Sequence, residues 1–310
     1  MTQILTVTMN PAVDIATSTN EVLPTHKLRC SVAHRHPGGG GVNVARVVHR
    51  LAGDCAALYP AGGDTGELLS KLLYEEGVNS VCVGIAGETR ENLSVHEALT
   101  GQEFRFVLPG PELLPSEWQA YLDRIAALEE VPRYLVASGS LPPGVPSDFY
   151  ARMIRQVKPL GVKVVLDTSG FALEAALKEG VYLVKPSLRE LRDLFGQPLE
   201  TESQWCHAAE QLLERGSAQV VVISLGEGGA WLVTAEGRCY APALSVEVIS
   251  ATGAGDSFVG AMVWALAGGS ELKTAFRYSV AAASAALLSK GTGLCRAVDV
   301  AHYFNDVTLT

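Results

Sequence analysis

Several things are missing from this sequence, and each absence removes a class of function. There is no basic surplus: 24 Lys and Arg face 33 Asp and Glu, for a net charge of -9. A nucleic-acid or anionic-membrane partner would need a basic footprint, so neither is expected. The six cysteines, at 30, 55, 82, 206, 239 and 295, form no C-x-x-C pair. Metal spacing is therefore absent, and a disulfide framework does not suit so long a chain. We read them as reduced, mostly buried thiols. No G-x-x-x-x-G-K-[ST] occurs, which excludes a P-loop enzyme. No G-x-S-x-G occurs either; Ser138-Gly139-Ser140 comes nearest, with the wrong surroundings for a nucleophile elbow. The longest apolar runs, 258–267 and 280–288, fall short of the roughly 20 residues of a membrane helix. The opening MTQILTVTMNPAVD lacks the basic and apolar regions of a signal peptide. The expected compartment is the cytosol, with no membrane partner.

What is present is an alternation. Residues 4–9 (ILTVTM) read as a buried strand ended by Asn10-Pro11. Later come strands at 134–138, 162–167, 181–184 and 219–224, separated by helical patterns at 148–158, 172–178, 188–195 and 205–215. Near-continuous apolar strands between helices predict an α/β fold with a mainly parallel sheet covered on both faces. Ligands of such sheets bind beyond the carboxyl ends of the strands. The loops at 10–14, 139–144, 167–170, 185–190 and 224–229 are therefore the candidate site. Two segments break the alternation. Residues 27–36 and 92–107 look extended and polar, and Thr100-Gly101 between 93–99 and 103–107 reads as a hairpin. A small sheet of this kind suits a lid, a dimer surface or an ordinary edge hairpin.

Two glycine runs carry the chemistry. Gly253-Ala254-Gly255-Asp256 stands immediately before an apolar helical run, 257–266. Unpaired N–H groups and the positive end of the helix dipole make that turn a hole for anionic charge. An acid inside it is repelled by a phosphate unless it has a task. The local sequence leaves two readings of Asp256 open: helix cap, or general base for an attacking hydroxyl. The second run, Gly38 to Gly41, opens an amphipathic helix carrying Asn43. A dinucleotide fingerprint would need glycine where Asn43 stands and a buried strand before it. A backbone nest with an amide that recognises sugar hydroxyls fits better. Asp14 follows the first strand and suits a sugar diol. Lys27, Arg29 and Arg90 offer charge for a substrate phosphate. Glu190 reads either as a first-turn helix acid or as a group orienting hydrated Mg²⁺. Of the histidines, 26, 34, 36 and 96 lie in the lid-like segments; with no third ligand near His34 and His36, a solvated face is the reading.

Together these motifs resemble the ribokinase/PfkB family of carbohydrate kinases. Gly38 to Asn43 with Val44-Ala45, and 251–260 with Gly253, Gly255 and Asp256, carry the likeness, which spans the whole chain. KLRC (27–30), PAGG (60–63), SGSLPPGV (138–145) and LVKP (183–186) extend it. The resemblance implies a ribokinase-like three-layer α/β/α core with a small β-sheet lid, residues 1–310 as one domain, and lid segments at about 15–36 and 88–108. It implies transfer of the ATP γ-phosphoryl group to fructose 6-phosphate, with tagatose 6-phosphate or fructose 1-phosphate as alternatives. Asp256 would be the base and Gly253, Ala254 and Gly255 the anion hole. Asp14, Lys27, Gly39, Gly40, Asn43 and Arg90 would hold the sugar phosphate, with Ser138 or Ser140 and Gly139 beside them. Lys185, Ser187, Ser224, Gly226, Gly229 and Ser284 would contact ATP, and Glu190 would serve Mg²⁺. A potassium loop is implied at Ser250, Thr252, Ala286, Ser289, Gly291 and Gly293, and a homodimer through the lid. One departure stands out: Ser187 replaces the asparagine of the family's N-x-x-E motif. A non-catalytic sugar-phosphate sensor is opposed by the intact Asp256, and a nicotinamide oxidoreductase by the incomplete fingerprint.

Overall fold

The computed structural model describes residues 3–310 and starts with the expected short strand, β1 (Ile4–Val7). A strand not foreseen, β2 (Ala12–Thr19), follows at once where a loop over 10–14 is expected. Its alternating AVDIATST pattern suits a half-buried strand, so Asp14 sits on a strand and not on a loop. Then come β3 (His34–Gly38), α1 (Gly40–Arg50), β4 (Cys55–Ala61), α2 (Gly63–Glu75) and β5 (Ser80–Gly84). The expected hairpin is β6 (Arg90–Glu97) and β7 (Glu103–Val107), with Gly101 at φ 74° in its turn.

After a helix the sequence reading did not name, α3 (Pro115–Ala126), the second half alternates as the sequence predicts: β8 (Tyr134–Ser138), α4 (Phe149–Val157), β9 (Lys163–Asp167), α5 (Gly170–Leu177), β10 (Val181–Val184), α6 (Leu188–Phe195), α7 (Glu202–Glu214) and β11 (Ala218–Ser224). Two further strands, β12 (Ala230–Thr234) and β13 (Gly237–Ala241), precede the helices α8 (Ala254–Ala267), α9 (Leu272–Ala286) and α10 (Ala297–Phe304).

Nine strands form one sheet in the order β13-β12-β11-β10-β9-β8-β1-β4-β5. Its strands run parallel from β11 to β5, and β12 and β13 are antiparallel. Both faces are dry, which is why the strands read as apolar runs. Tyr134 and Val136 point into one core with α1, α8 and α9, while Leu135 and Ala137 point into the other with α3, α4 and α5. The three-layer α/β/α arrangement is thus present. The helix α8 is apolar nearly all round because it is buried against α1 and α9 as well as the sheet. The connection order reverses at β1, whose neighbours are β4 and β8. That reversal opens a crevice beyond the carboxyl ends of β1 and β8.

The other four strands form a small sheet in the order β3-β2-β6-β7, with β2 and β6 parallel. It stands beside that crevice and exposes Leu93, Phe106 and Val107. All six cysteines are unpaired; Cys55, Cys206, Cys239 and Cys295 are buried, while Cys30 and Cys82 are exposed. Among the described residues, no helix is long and apolar enough to cross a membrane.

Candidate active site

Residues from β1, β8, β9 and β10 and the start of α8 converge at the carboxyl edge of the large sheet. Gly253 is the N-cap of α8 in the left-handed region, at φ 80°, and any Cβ there would lie 2.5 Å from Leu294 Cδ2. Gly255 is exposed, and a Cβ there would meet nothing but Lys185 Nζ, at 3.8 Å. The helix N-terminus therefore opens onto a small gap facing an ammonium group. Asp256 is the third helical residue, and no side chain caps this helix. Its carboxylate instead accepts from Asn43 Nδ2 of α1 at 2.8 Å. The helix-cap reading of Asp256 is not what the geometry shows. Burial pushes its pKa up to about 6, with the charges of Asp167 and Asp14 adding to the rise and Asn43 and Lys185 opposing it.

The glycine run before α1 is a close-approach device. A Cβ on Gly40 would stand 2.3 Å from Ser138 Oγ, and one on Gly41 2.6 Å from the Val7 carbonyl. This packs the start of α1 on the ends of β1 and β8 and delivers Asn43 to Asp256. Gly38 leaves room for the Asp14 carboxyl, which a Cβ there would overlap at 2.3 Å. Asp14 accepts from Asn92 Nδ2 of β6 at 2.8 Å, and burial raises its pKa.

Arg90 lies at the start of β6. Its Nη1 donates to the Leu108 carbonyl at 2.5 Å and its Nη2 to the Asn10 carbonyl at 2.7 Å. The buried Nε has no partner among the described residues, an unusual state for so strong a donor. Arg90 lines an open cavity of about 570 Å³ with Asn10, Ser140 and Thr168. The two serines left open by the sequence now separate: Ser140 is exposed in that cavity and bonded to Asn10 Nδ2 at 3.3 Å, whereas Ser138 is buried under Gly40. Gly139 joins them at φ 106°. Lys27 is exposed on the segment between β2 and β3 and lines no part of this cavity.

Lys185, at the end of β10, is buried and pairs with Asp167 at 3.0 Å. Burial works to lower its pKa, but the carboxylates of Asp167, Glu190 and Asp256 outweigh it and hold the ammonium charged. Ser187 and Ser224 form a parallel bridge. Ser187 N–H donates to Glu190 Oε2 at 2.8 Å, and Glu190 N–H donates to Ser187 Oγ at 3.2 Å. This is a closed capping box, which accounts locally for serine at 187 and shows Glu190 acting as a first-turn helix acid. Gly226 and Gly229 bracket a short turn after β11; a Cβ on Gly229 would strike the Ala241 carbonyl at 2.1 Å. Ser284 is buried on α9. In the expected cation loop, Ser250 and Thr252 hydroxyls both donate to the Glu103 carboxylate of β7, Ser250 at 3.0 Å. Ser289 Oγ donates to the Leu294 carbonyl at 2.8 Å, and the Gly293 carbonyl accepts from Arg50. Ala286 and Gly291 are buried.

Comparison with known proteins places the chain in a family. The model of the pfkB family carbohydrate kinases matches residues 7–298. The chain belongs to this family. It is 44% identical to ATP-dependent 6-phosphofructokinase isozyme 2 of Mycobacterium tuberculosis, over 97% of this chain and 89% of that one. It is 41% identical to the isozyme of the same name from Escherichia coli, over 95% of this chain and 96% of the relative. The solved structure of phosphofructokinase-2 from Escherichia coli in complex with fructose-6-phosphate superposes with a TM-score of 0.92, at 39% identity and 99% coverage of each chain.

Within this PfkB kinase, sequence reasoning missed three residues near the site, Arg46, Asn92 and Glu103, and gave Asp167 no role beyond its place in the 167–170 loop. For Arg46 a signal existed, since an arginine three residues after Asn43 interrupts the apolar stripe of VNVARVV and shares its helix face. Asn92 and Glu103 come into place only through strand pairing. His36 also departs from the solvated face expected of it. It is half-buried, and burial beside Arg46 lowers its pKa to about 4, whereas His34 is exposed.

Proposed function

We propose that this chain is an ATP-dependent 6-phosphofructokinase that converts fructose 6-phosphate to fructose 1,6-bisphosphate. The observation that carries the reading is Asp256, held by Asn43 at the open N-terminus of α8 with a pKa near 6. A carboxylate with that pKa is ionised at neutral pH yet still basic enough to receive a proton. The names of the relatives supply the substrate.

In this reading the sugar lies over Asp14 and Asn43, and its phosphate lies in the Arg90 cavity with Ser140. The Arg90 guanidinium, which lines that cavity, supplies the positive charge for it. The primary hydroxyl oxygen attacks the γ-phosphorus, its proton passes to Asp256, and the bond to the bridging oxygen of ADP breaks. The first N–H groups of α8 and the Lys185 ammonium face the charge that spreads over the transferring group. ATP would lie along Lys185, Ser187, Ser224 and the turn from Gly226 to Gly229, with Ser284 behind it. Glu190, with Asp167 nearby, offers the hard oxygen donors that suit a hydrated Mg²⁺. Bound to the nucleotide phosphates, the metal would neutralise their charge. The carbonyls around Ser250, Thr252, Ala286, Ser289 and Gly291 would take a potassium ion.

The proposal extends to one kinase domain with a β lid, a homodimer formed on the exposed apolar face of that lid, and a cytosolic location, where soluble sugar phosphates and ATP meet. The deciding experiment is a coupled ADP-release assay on fructose 6-phosphate, tagatose 6-phosphate and fructose 1-phosphate. The highest kcat/KM is expected for fructose 6-phosphate. A preference for either of the others would overturn the substrate while leaving the kinase chemistry in place.

A further inference from the structure

The Asn43 amide stands between two groups that can each accept only one of its ends. Arg46 Nη1 donates to Asn43 Oδ1 at 3.0 Å, and Asn43 Nδ2 donates to Asp256 Oδ2 at 2.8 Å. A guanidinium has no acceptor, and an ionised carboxylate has no donor. Turning the amide over would set N–H against N–H and oxygen against oxygen. The side chain of Arg46 therefore dictates which end of Asn43 meets Asp256.

Arg46 can do this because it does not move. It is 0% exposed. Its Nε and Nη2 donate to the two Glu76 oxygens at 2.9 and 2.7 Å, just past the end of α2. The same Nη1 that meets Asn43 also donates to the Pro37 carbonyl of β3 at 2.8 Å and to the Thr292 carbonyl at 3.1 Å. The lid sheet, α2 and the loop after α9 thus hold one guanidinium, and its Nη1, shared with the Pro37 and Thr292 carbonyls, also reaches Asn43. A residue needed for packing alone would require only the Glu76 pair.

We propose that Arg46 is a positioning residue for phosphoryl transfer: it fixes the Asn43 amide so that the N–H end faces Asp256. The inference rests on the reading of Asp256 as the base. The groups that face Asp256 are Asn43 from α1, Asp14 from β2, Asp167 from β9 and Lys185 after β10. Of these, Asn43 is the neutral hydrogen-bond donor, and its donation favours the ionised form of the base.

The test is the pH profile of kcat/KM for the sugar phosphate in wild type, Arg46→Met, Asn43→Ala and the double variant. In Arg46→Met the acidic limb should move up by about one pH unit, the worth of one hydrogen bond to a charged group. Asn43→Ala should move it similarly, and the double variant no further than Asn43→Ala alone. An unmoved limb in Arg46→Met overturns the inference. So do shifts that add in the double variant, because Arg46 would then act through its charge and not through the amide. Loss of Arg46 leaves Glu76 without its main partner. If Arg46→Met does not fold, the cycle is run with Arg46→Met and Glu76→Gln together, and the same outcomes decide. Asp256→Asn separates the two layers of argument. Turnover surviving there removes the base itself. Turnover lost there with Arg46→Met unshifted removes only the role of Arg46.

Discussion

Lys185 Nζ stands 3.0 Å from Asp167 Oδ1, and both side chains are largely withdrawn from water. The pair does more than neutralise itself. It presents the ammonium to the gap that Gly255 leaves at the start of α8, 3.8 Å from where a Cβ would be. A positive charge and a helix N-terminus then face the same small volume, where negative charge gathers during phosphoryl transfer. Lys185→Met should therefore lower kcat by about 10²–10³, the usual loss for one preorganised donor. Lys185 also helps keep Asp256 ionised, so the acidic limb of the rate profile should move to higher pH. Steady-state kinetics from pH 5 to 8 would check both. A change confined to the KM for ATP would reduce Lys185 to a binding role.

Asp256 should limit both rate and stability. With a pKa of about 6, kcat/KM should fall on the acidic side below about pH 6. For folding, an acid whose folded pKa lies above its unfolded value opposes the usual carboxylate trend. The native state holds the proton more tightly, so the group favours folding at low pH and that contribution is lost as pH rises from about 4 to about 6. At neutral pH the ionised, half-buried carboxylate costs on the order of 2 kcal/mol after allowance for partial exposure. Asp256→Asn should abolish turnover and raise the urea midpoint at pH 7, with the gain shrinking towards pH 4. Near-wild-type turnover would end its assignment as the base.

Arg90 carries a prediction of its own because one of its donors is idle. Its Nη groups are tied to the Leu108 and Asn10 carbonyls, while the buried Nε is unmatched. The guanidinium as a whole lines the cavity, and its charge would draw a sugar phosphate there. Arg90→Ala should raise the KM for the phosphorylated sugar by about 100-fold, in line with a lost hydrogen bond between charged groups, and leave the KM for ATP within about twofold. An unchanged sugar KM would remove Arg90 from the phosphate site.

Much of this site was legible in the sequence, and the reasons are local. The Gly253-to-Asp256 turn could be read because a helix start advertises its own chemistry through glycines and the apolar run behind them. The strands from 134 onward could be read because a parallel sheet dry on both faces leaves continuous apolar runs. From the sequence Asp14 reads as a loop residue, since Asn10-Pro11 hides that the chain resumes as a strand at Ala12. Asn92 and Glu103 gave no signal. They matter through lid pairing, where Asn92 is opposite Asp14 across β2 and β6, and no spacing along the chain records that. Ser187 and Glu190 were matched to a family motif, yet their hydrogen bonds are those of a capping box, a pattern that S-x-x-E already spells out.

Glu103 ties the lid to the catalytic turn. Its carboxylate on β7 accepts from the Ser250 and Thr252 hydroxyls, and Thr252 immediately precedes Gly253. β7 pairs with β6, and β6 carries Arg90 and Asn92. On the proposed reading, the clasp sets how Arg90 and Asn92 stand over the start of α8. Breaking it should loosen the lid without touching the reacting atoms. Glu103→Ala is expected to raise the KM for the sugar phosphate severalfold, as for a hydrogen bond to a charged group that is partly exposed, with kcat within about twofold at saturation. Glu103→Gln keeps one acceptor oxygen but replaces the other with an NH2 donor and loses the charge, so it should fall between Ala and wild type. The measurement is a pair of substrate-saturation curves at fixed ATP. If kcat collapsed while KM stayed constant, Glu103 would act on the catalytic turn itself, through the geometry of Thr252 and Gly253, and not through the lid.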